Sequence, residues 1–151
     1  MAAVDYSGIE DTIKGVLEAD ARTTGAAIYV EEEPQFGLSD MQQAVLVYLD
    51  RRSAPNTQQN LAAGKRTRYL LQLTVAVLYF SLESFKAACD GRNTLLGNVE
   101  LVLMANRTLN GKVETLWLEG GELYSVRNPQ NSVFTAVAET TVTVDVSAVN
   151  T

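Results

Sequence analysis

The sequence predicts an α+β domain: a mainly antiparallel sheet with helices packed on one face, in the order α-β-β-β-α-β-β-β. Two stretches, residues 8–22 and 81–113, carry apolar residues at helical spacing. Between and after them lie six runs rich in β-branched and aromatic residues, bounded by Gly, Pro, Asn and Ser. Helices and strands grouped in this way fit helices laid on one sheet. At 151 residues and 46% hydrophobic, the chain suits a single domain, 1–151, with a proper core.

Ser7-Gly8-Ile9-Glu10 has the spacing of a capping box, with Ser7 as N-cap and Glu10 reaching back. Ile9, Ile13, Val16/Leu17 and Ala21 supply an apolar stripe, so the first helix is expected over about Gly8–Arg22. Ala26–Glu31 is a short strand candidate. Glu31-Glu32-Glu33-Pro34 then leaves the sheet and opens a flexible loop over about 31–39. Ala44–Arg52 is apolar on both alternating faces, which predicts a central strand. The uncharged stretch 53–64 (SAPNTQQNLAAG) reads as a mobile loop. Lys65–Ser81 follows as a long strand, completing a hairpin that is basic beside its loop.

Ser81–Val113 is the one long helical stretch, with Leu82, Phe85, Cys89, Leu95/Leu96, Val99, Val102/Leu103 and Asn106 as its stripe. Gly91 is expected to bend or split it. Asn-Gly at 110–111 ends it. Lys112–Glu119 is a strand candidate. Gly120-Gly121 is expected to turn the chain, and Glu122–Arg127 to return it. The last strand alternates cleanly: Phe134, Ala136, Ala138, Thr140, Val142, Val144 and Val146 face one way. Thr135, Val137, Glu139, Thr141, Thr143 and Asp145 form a wet or interface face. Residues 147–151 are expected to be a loose tail.

Composition narrows the function classes. Histidine is absent, which removes the commonest general base and metal ligand. With one cysteine as well, no zinc site of standard ligand type can be built. Cys89 is expected to be a core thiol, and a single cysteine allows no intramolecular disulfide, which fits a reducing cytoplasm. No phosphate-binding glycine loop and no G-x-S-x-G motif is present. No catalytic, metal or cofactor-binding residue is therefore assigned, and a non-enzymatic protein is expected. The acidic opening MAAVDYSGIED lacks the pattern of a signal peptide. The most apolar stretch, Leu70–Leu82, is shorter than a membrane span and holds Gln72 and Thr74.

The formal charge of −6 is unevenly spread. Residues 1–50 hold ten acids against two bases, residues 51–68 hold five bases and no acid, and residues 69–151 hold eight acids against five bases. Two patches stand out: acidic Glu31, Glu32 and Glu33, and basic Arg51, Arg52, Lys65, Arg66 and Arg68. Either can be a solvated surface. A DNA-binding hairpin is a further reading of the basic patch, one that implies salt-sensitive binding, although the acidic body argues against a general nucleic-acid binder.

The order of elements and the segment Ala87–Val113 resemble the tail terminator (tail completion) proteins of tailed bacteriophages. In that family a long strand runs into a helix with a pattern close to R-x-x-L-x-x-x-V-x-x-x-L, followed by N/D-R/x-T-L-x-G-x-V. The matching residues are Arg92, Leu95, Val99, Leu103, Asn106, Arg107, Thr108, Leu109, Gly111 and Val113. The specific match covers about 25 residues, and the outline covers most of the chain. The resemblance implies a virion protein, assembled in the host cytoplasm, that forms a hexameric ring. The ring would cap the tail tube, end its polymerisation and join the tail to the neck. Its partners would be further copies of itself, the tail tube protein and a neck or head–tail connector protein. Genome DNA would pass through the lumen without specific binding, and no membrane or cofactor is involved. A head-to-tail ring needs two different complementary patches per subunit, and the acidic and basic patches are the candidates. Another head–tail joining or head-completion neck protein is the nearest alternative. A small non-enzymatic adaptor or binding module is the alternative of a different class, and a carboxylate-based enzyme is disfavoured by the missing histidine.

Overall fold

Two sixteen-residue strands, β3 (Arg66–Ser81) and β6 (Phe134–Val149), form the spine of the molecule. They pair antiparallel over their whole length, from Arg66 opposite Val149 to Ser81 opposite Phe134. The computed structural model describes residues 4–32, 42–53, 66–126 and 133–149. Its other elements are α1 (Tyr6–Ala19), β1 (Ala27–Val30), β2 (Gln43–Ser53), α2 (Phe85–Ala105), β4 (Thr115–Leu118) and β5 (Leu123–Val126). The fold is α+β, with elements in the expected order. The sheet is mixed, however: β1 lies parallel to β2, while every other described pair is antiparallel. The sheet runs β1-β2-β3-β6-β4, and β5 also pairs with β6.

Period-two alternation sorts the sheet into two faces. On one, Val45 and Val47 of β2, Leu71, Leu73, Val75 and Val77 of β3, and Ala138, Val142 and Val144 of β6 meet both helices in a single core. The helices contribute Ile9, Ile13 and Leu17 from α1, and Leu95, Val99, Val102 and Leu103 from α2. Each such side chain gains about 1.5–3 kcal/mol by full burial. This shared cluster holds helices and sheet together.

Several local expectations are corrected. Asp5, not Ser7, caps α1: its Oδ1 accepts from the Gly8 amide at 3.0 Å. Glu10 then lies one turn inside the helix, turned into a buried position instead of back to the cap. Ala21 falls beyond the helix and is exposed. The second helix begins at Phe85, with the Ser84 hydroxyl accepting from the Ala87 amide at 3.0 Å. Leu82 thus precedes the helix and is 75% exposed. The buried stripe runs through Ala88, Arg92, Leu95, Val99, Val102 and Leu103, leaving Cys89 half-buried at its margin.

Gly91 does not split α2, which is continuous. A Cβ there would stand 2.4 Å from Cε1 of Tyr79, so glycine is needed for the aromatic ring of β3 to lie against the helix. After the Asn106 cap, Leu109, Asn110 and Gly111 all have positive φ. Left-handed backbone costs a residue such as leucine roughly 1–2 kcal/mol. Leu109 is fully buried in the core, a gain of about 1.5–3 kcal/mol that outweighs the strain.

Gly120-Gly121 does not reverse the chain. β4 and β5 run in the same direction along the same edge of β6, Thr115–Leu118 opposite 145–142 and Leu123–Val126 opposite 138–135. They are one edge strand interrupted by a bulge. The ladder continues through it, with the Thr141 amide donating to the Gly120 carbonyl at 2.7 Å and the Glu139 amide to the Glu122 carbonyl at 2.8 Å. Gly120 supplies the positive φ the bulge needs, and a Cβ on Gly121 would lie 1.9 Å from the Glu139 carbonyl oxygen.

At the C-terminal end, residues 147–149 are ladder residues of β6 opposite 68–66, not a loose tail. The expected loops 31–39 and 53–64 lie largely outside the described residues, as do 150 and 151. Among the described residues no helix is long and apolar enough to cross a membrane.

Candidate functional site

One end of the sheet collects most of the charged side chains singled out from the sequence. β1 ends there at Val30, opposite Val47 of β2, and Glu31 and Glu32 follow as exposed residues. On β2, the register shifts between Leu49 and Arg51. The bulge brings Arg52 opposite Leu71 and so turns it to the helix-covered face, while Arg51 and Ser53 complete the exposed end of the strand. Arg68 of β3 sits on the same end. Glu33 and Lys65 lie outside the described residues. Arg66 is described only through its backbone, paired with Val149.

The described members of the acidic and basic patches therefore stand at the same end of the sheet, yet each of them that has a partner finds it elsewhere in the chain. Arg68 pairs with Asp145: Nε lies 2.9 Å from Oδ1 and 3.0 Å from Oδ2, and Nη2 lies 2.6 Å from Oδ2. Asp145 is one of the least exposed acids among the described residues, at 6%. Its place on the second face of β6 marks it as wet or interfacial in the sequence, but the guanidinium fork covers it. Arg52 donates to the Tyr6 hydroxyl at 3.2 Å and lies 5.9 Å from the ring centroids of both Tyr6 and Tyr69. It thereby clasps the start of α1 to the sheet. Glu31 takes a left-handed backbone, and its Oε1 accepts from the Leu49 amide at 2.9 Å.

Glu31 also acts on the Glu10 carboxyl of α1. Burial, then the Glu31 hydrogen bond and charge, then the charge of Asp11, push the Glu10 carboxyl up to about 7, against a smaller opposing pull from the Leu49 amide. Nearby, Lys112 reaches Asp5 at 3.6 Å, and the Ser147 hydroxyl donates to Glu114 at 3.1 Å. Glu10, Asp145, Tyr6 and Tyr69 are the members of this region that the sequence did not mark as site residues. Their partners are distant in the chain, and only the fold brings them together.

The sheet face opposite the helices is a second feature. Ala44, Ala76, Leu78 and Val137 are buried there among half-buried Tyr29, Leu46 and Phe80. Toward the charged end this apolar area gives way to hydroxyls and carboxylates. The Thr74 hydroxyl donates to Asp50, and the Tyr124 hydroxyl to Glu139 at 3.0 Å. Burial raises the Tyr48 and Tyr124 phenols, with Glu139 adding to both shifts. On the helix side of the molecule, Leu101 and Met104 of α2 are about half exposed.

Among the described residues no group of three or more metal-ligating side chains comes together. The arrangement is one of structural ion pairs and clasped aromatic rings around an exposed polar rim. No family model matches the sequence, and no curated protein matches it.

Proposed function

We propose that this chain is a structural assembly protein of the tail-terminator kind, acting as a ring of about six copies on the end of a tube. The observation that carries the reading is the α2 motif and its setting. A sixteen-residue strand runs into a helix whose motif positions Arg92, Leu95, Val99 and Leu103 are buried, followed by Leu109 and Val113, also buried, around a left-handed turn at Gly111. Two further features support it. The helices cover one face of the sheet and leave apolar side chains on the other, and a charged rim with exposed Glu32 and Arg51 stands at one end. A subunit of a head-to-tail ring has to present two unlike surfaces, and these two features would supply them. Opposite charges at the rim would fix register more than strength.

The virion location, the tube protein, the neck partner and passage of DNA through the ring belong to the same proposal. The test is to purify the chain, measure its mass by native mass spectrometry and light scattering, and add it to growing tail tubes. The reading expects a discrete ring, in solution or on the tube, and arrested elongation. A chain that stays monomeric at high concentration and leaves tube growth unchanged overturns it.

A further inference from the structure

Among the described residues the sheet has two edges, β1 on one side and β4 with β5 on the other. They are not alike. No side chain of β1 is exposed, whereas Leu123 is 59% and Tyr124 48% exposed. These are two of the five exposed large hydrophobic side chains among the described residues, and they are neighbours on the four-residue strand β5. Leu123 stands opposite Ala138, on the helix-covered face, and Tyr124 opposite Val137, on the other. Apolar surface therefore flanks this edge on both sides, and the strand itself carries no charge. Such an edge is a template for another strand.

The backbone of β5 is set for that role. The Glu139 amide donates to the Glu122 carbonyl, which fixes the phase of the antiparallel ladder. Hydrogen-bonded and non-hydrogen-bonded pairs alternate along it. The backbone groups of Tyr124 thus turn toward β6, and those of Leu123 and Ser125 turn outward, where no described group bonds to them. From the helix side Arg92, only 9% exposed, donates to the Tyr124 carbonyl at 3.3 Å and holds the strand in place. The β4 part of the edge is different. Its outward Leu116 carbonyl already accepts from Arg107 Nε at 3.2 Å.

We propose that β5 is a pairing site for β5 of a second copy of this chain, antiparallel about a two-fold axis that passes through Tyr124 normal to the sheet. A strand edge turned about such an axis is its own complement, the isologous arrangement of most dimers. With the axis at Tyr124, Leu123 stands opposite Ser125 of the partner subunit, and Ser125 opposite the partner's Leu123. Opposed residues of this kind exchange both their N–H···O bonds, so every outward group of the two residues finds a mate. An axis at Leu123 or at Ser125 would pair one of them with itself and send the other past the end of the strand. The chosen axis also brings the two Tyr124 side chains together on the face free of helices. It sets Glu122 opposite Val126 of the partner subunit and not opposite another acid. The contact is independent of the ring reading, because it joins two copies whether or not each also stands in a ring.

Crosslinking on the axis tests it. In the double variant Cys89→Ser, Tyr124→Cys the one thiol sits where the two copies meet. Opposed residues of a non-hydrogen-bonded pair have Cα atoms about 4.5 Å apart, within the roughly 4.4–6.8 Å that a disulfide spans. Mild oxidation should give about tenfold more covalent dimer than the control Cys89→Ser, Leu123→Cys, whose thiols are out of register with each other. Ser125→Pro supplies a second measurement. It removes one outward N–H and none of the bonds to β6, a place where an edge strand tolerates proline. It should abolish two-fold association of the otherwise unmodified chain in sedimentation, with the fold retained by circular dichroism. Equal crosslinking at positions 123 and 124 overturns the proposal, as does association unchanged by Ser125→Pro. Rings that form without crosslinking at Tyr124 would sink this contact and leave the ring reading standing. Covalent dimers without rings would do the reverse.

Discussion

Arg68 and Asp145 face each other diagonally across the β3–β6 ladder, one guanidinium fork on one carboxylate, with contacts of 2.6–3.0 Å. The pair is asymmetric: the arginine side chain is 61% exposed and the aspartate side chain 9%. Removing the arginine strands a nearly buried carboxylate, whereas removing the aspartate leaves a cation that water can reach. Arg68→Ala should therefore destabilise the fold more than Asp145→Asn. The exposure of Arg68 keeps its loss well below that of breaking a fully buried pair. Urea denaturation of both variants measures the difference. Equal losses would mean that solvent already screens Asp145.

This pair also decides how the ring proposal should be probed. Reversing Arg68 to Glu would place two carboxylates on one ladder and confound assembly with folding. Arg51 is the cleaner position, because it is exposed at the end of β2. Arg51→Glu should leave the thermal midpoint within about two degrees, since exposed substitutions change stability by less than about 0.5 kcal/mol. If the rim sets register between subunits, the same change should weaken ring formation by roughly tenfold or more, or alter ring size, as read by native mass spectrometry. Unchanged rings would remove the basic rim from the interface.

Glu10 makes stability depend on pH in an unusual direction for an acid. Its ordinary value is 4.5 and the folded chain raises it to about 7. The folded state therefore holds the proton more tightly than the unfolded state. The stabilisation is fully present below about 4.5, is lost progressively as pH rises toward 7, and is gone above that. The shift corresponds to about 3 kcal/mol. Chemical denaturation of the unmodified chain and of Glu10→Gln, from pH 5 to pH 8, isolates this contribution. The difference in unfolding free energy between them should change by a few kcal/mol across that range, with the glutamine variant gaining relative stability at the higher pH. A constant difference would mean that Glu10 titrates as an ordinary carboxylate.

The element order was legible because the signals behind it are local and periodic. The alternation in β6, the apolar run of β3 and the stripes of both helices are each contained in one stretch of chain. What was not legible depends on position in space. Asp145 meets Arg68 across 77 positions, and Glu31 acts on Glu10 across 21. Neither pairing leaves a mark at either residue. Asp5 and Ser7 are both good caps, and the α1 register that buries Ile9, Ile13 and Leu17 selects Asp5. Gly120-Gly121 suits a turn and a bulge equally well, because both use glycine's positive φ. The long β6 edge, available to β4 and then to β5, selects the bulge. At the rim, residue types and location were readable, whereas the partners of Arg52, Arg68 and Glu31 were not.

Gly91 offers the sharpest test of a tertiary contact against local propensity. In a helix interior, alanine is better than glycine by about 1 kcal/mol, so Gly91→Ala would stabilise α2 if the helix stood alone. In the folded chain the added methyl would meet the Tyr79 ring at 2.4–2.5 Å, so either the ring must turn aside or α2 must move away from β3. The substitution should therefore cost roughly 1–3 kcal/mol, the range for overpacking a well-filled site. Combining it with Tyr79→Ala separates the two effects. Once the ring is gone, Gly91→Ala should reverse sign and stabilise by up to about 1 kcal/mol. A double-mutant cycle of thermal or urea unfolding measures the coupling. If Gly91→Ala were neutral or stabilising with Tyr79 in place, the glycine would not be serving the ring. The contact would then be loose enough for α2 to slide over the sheet.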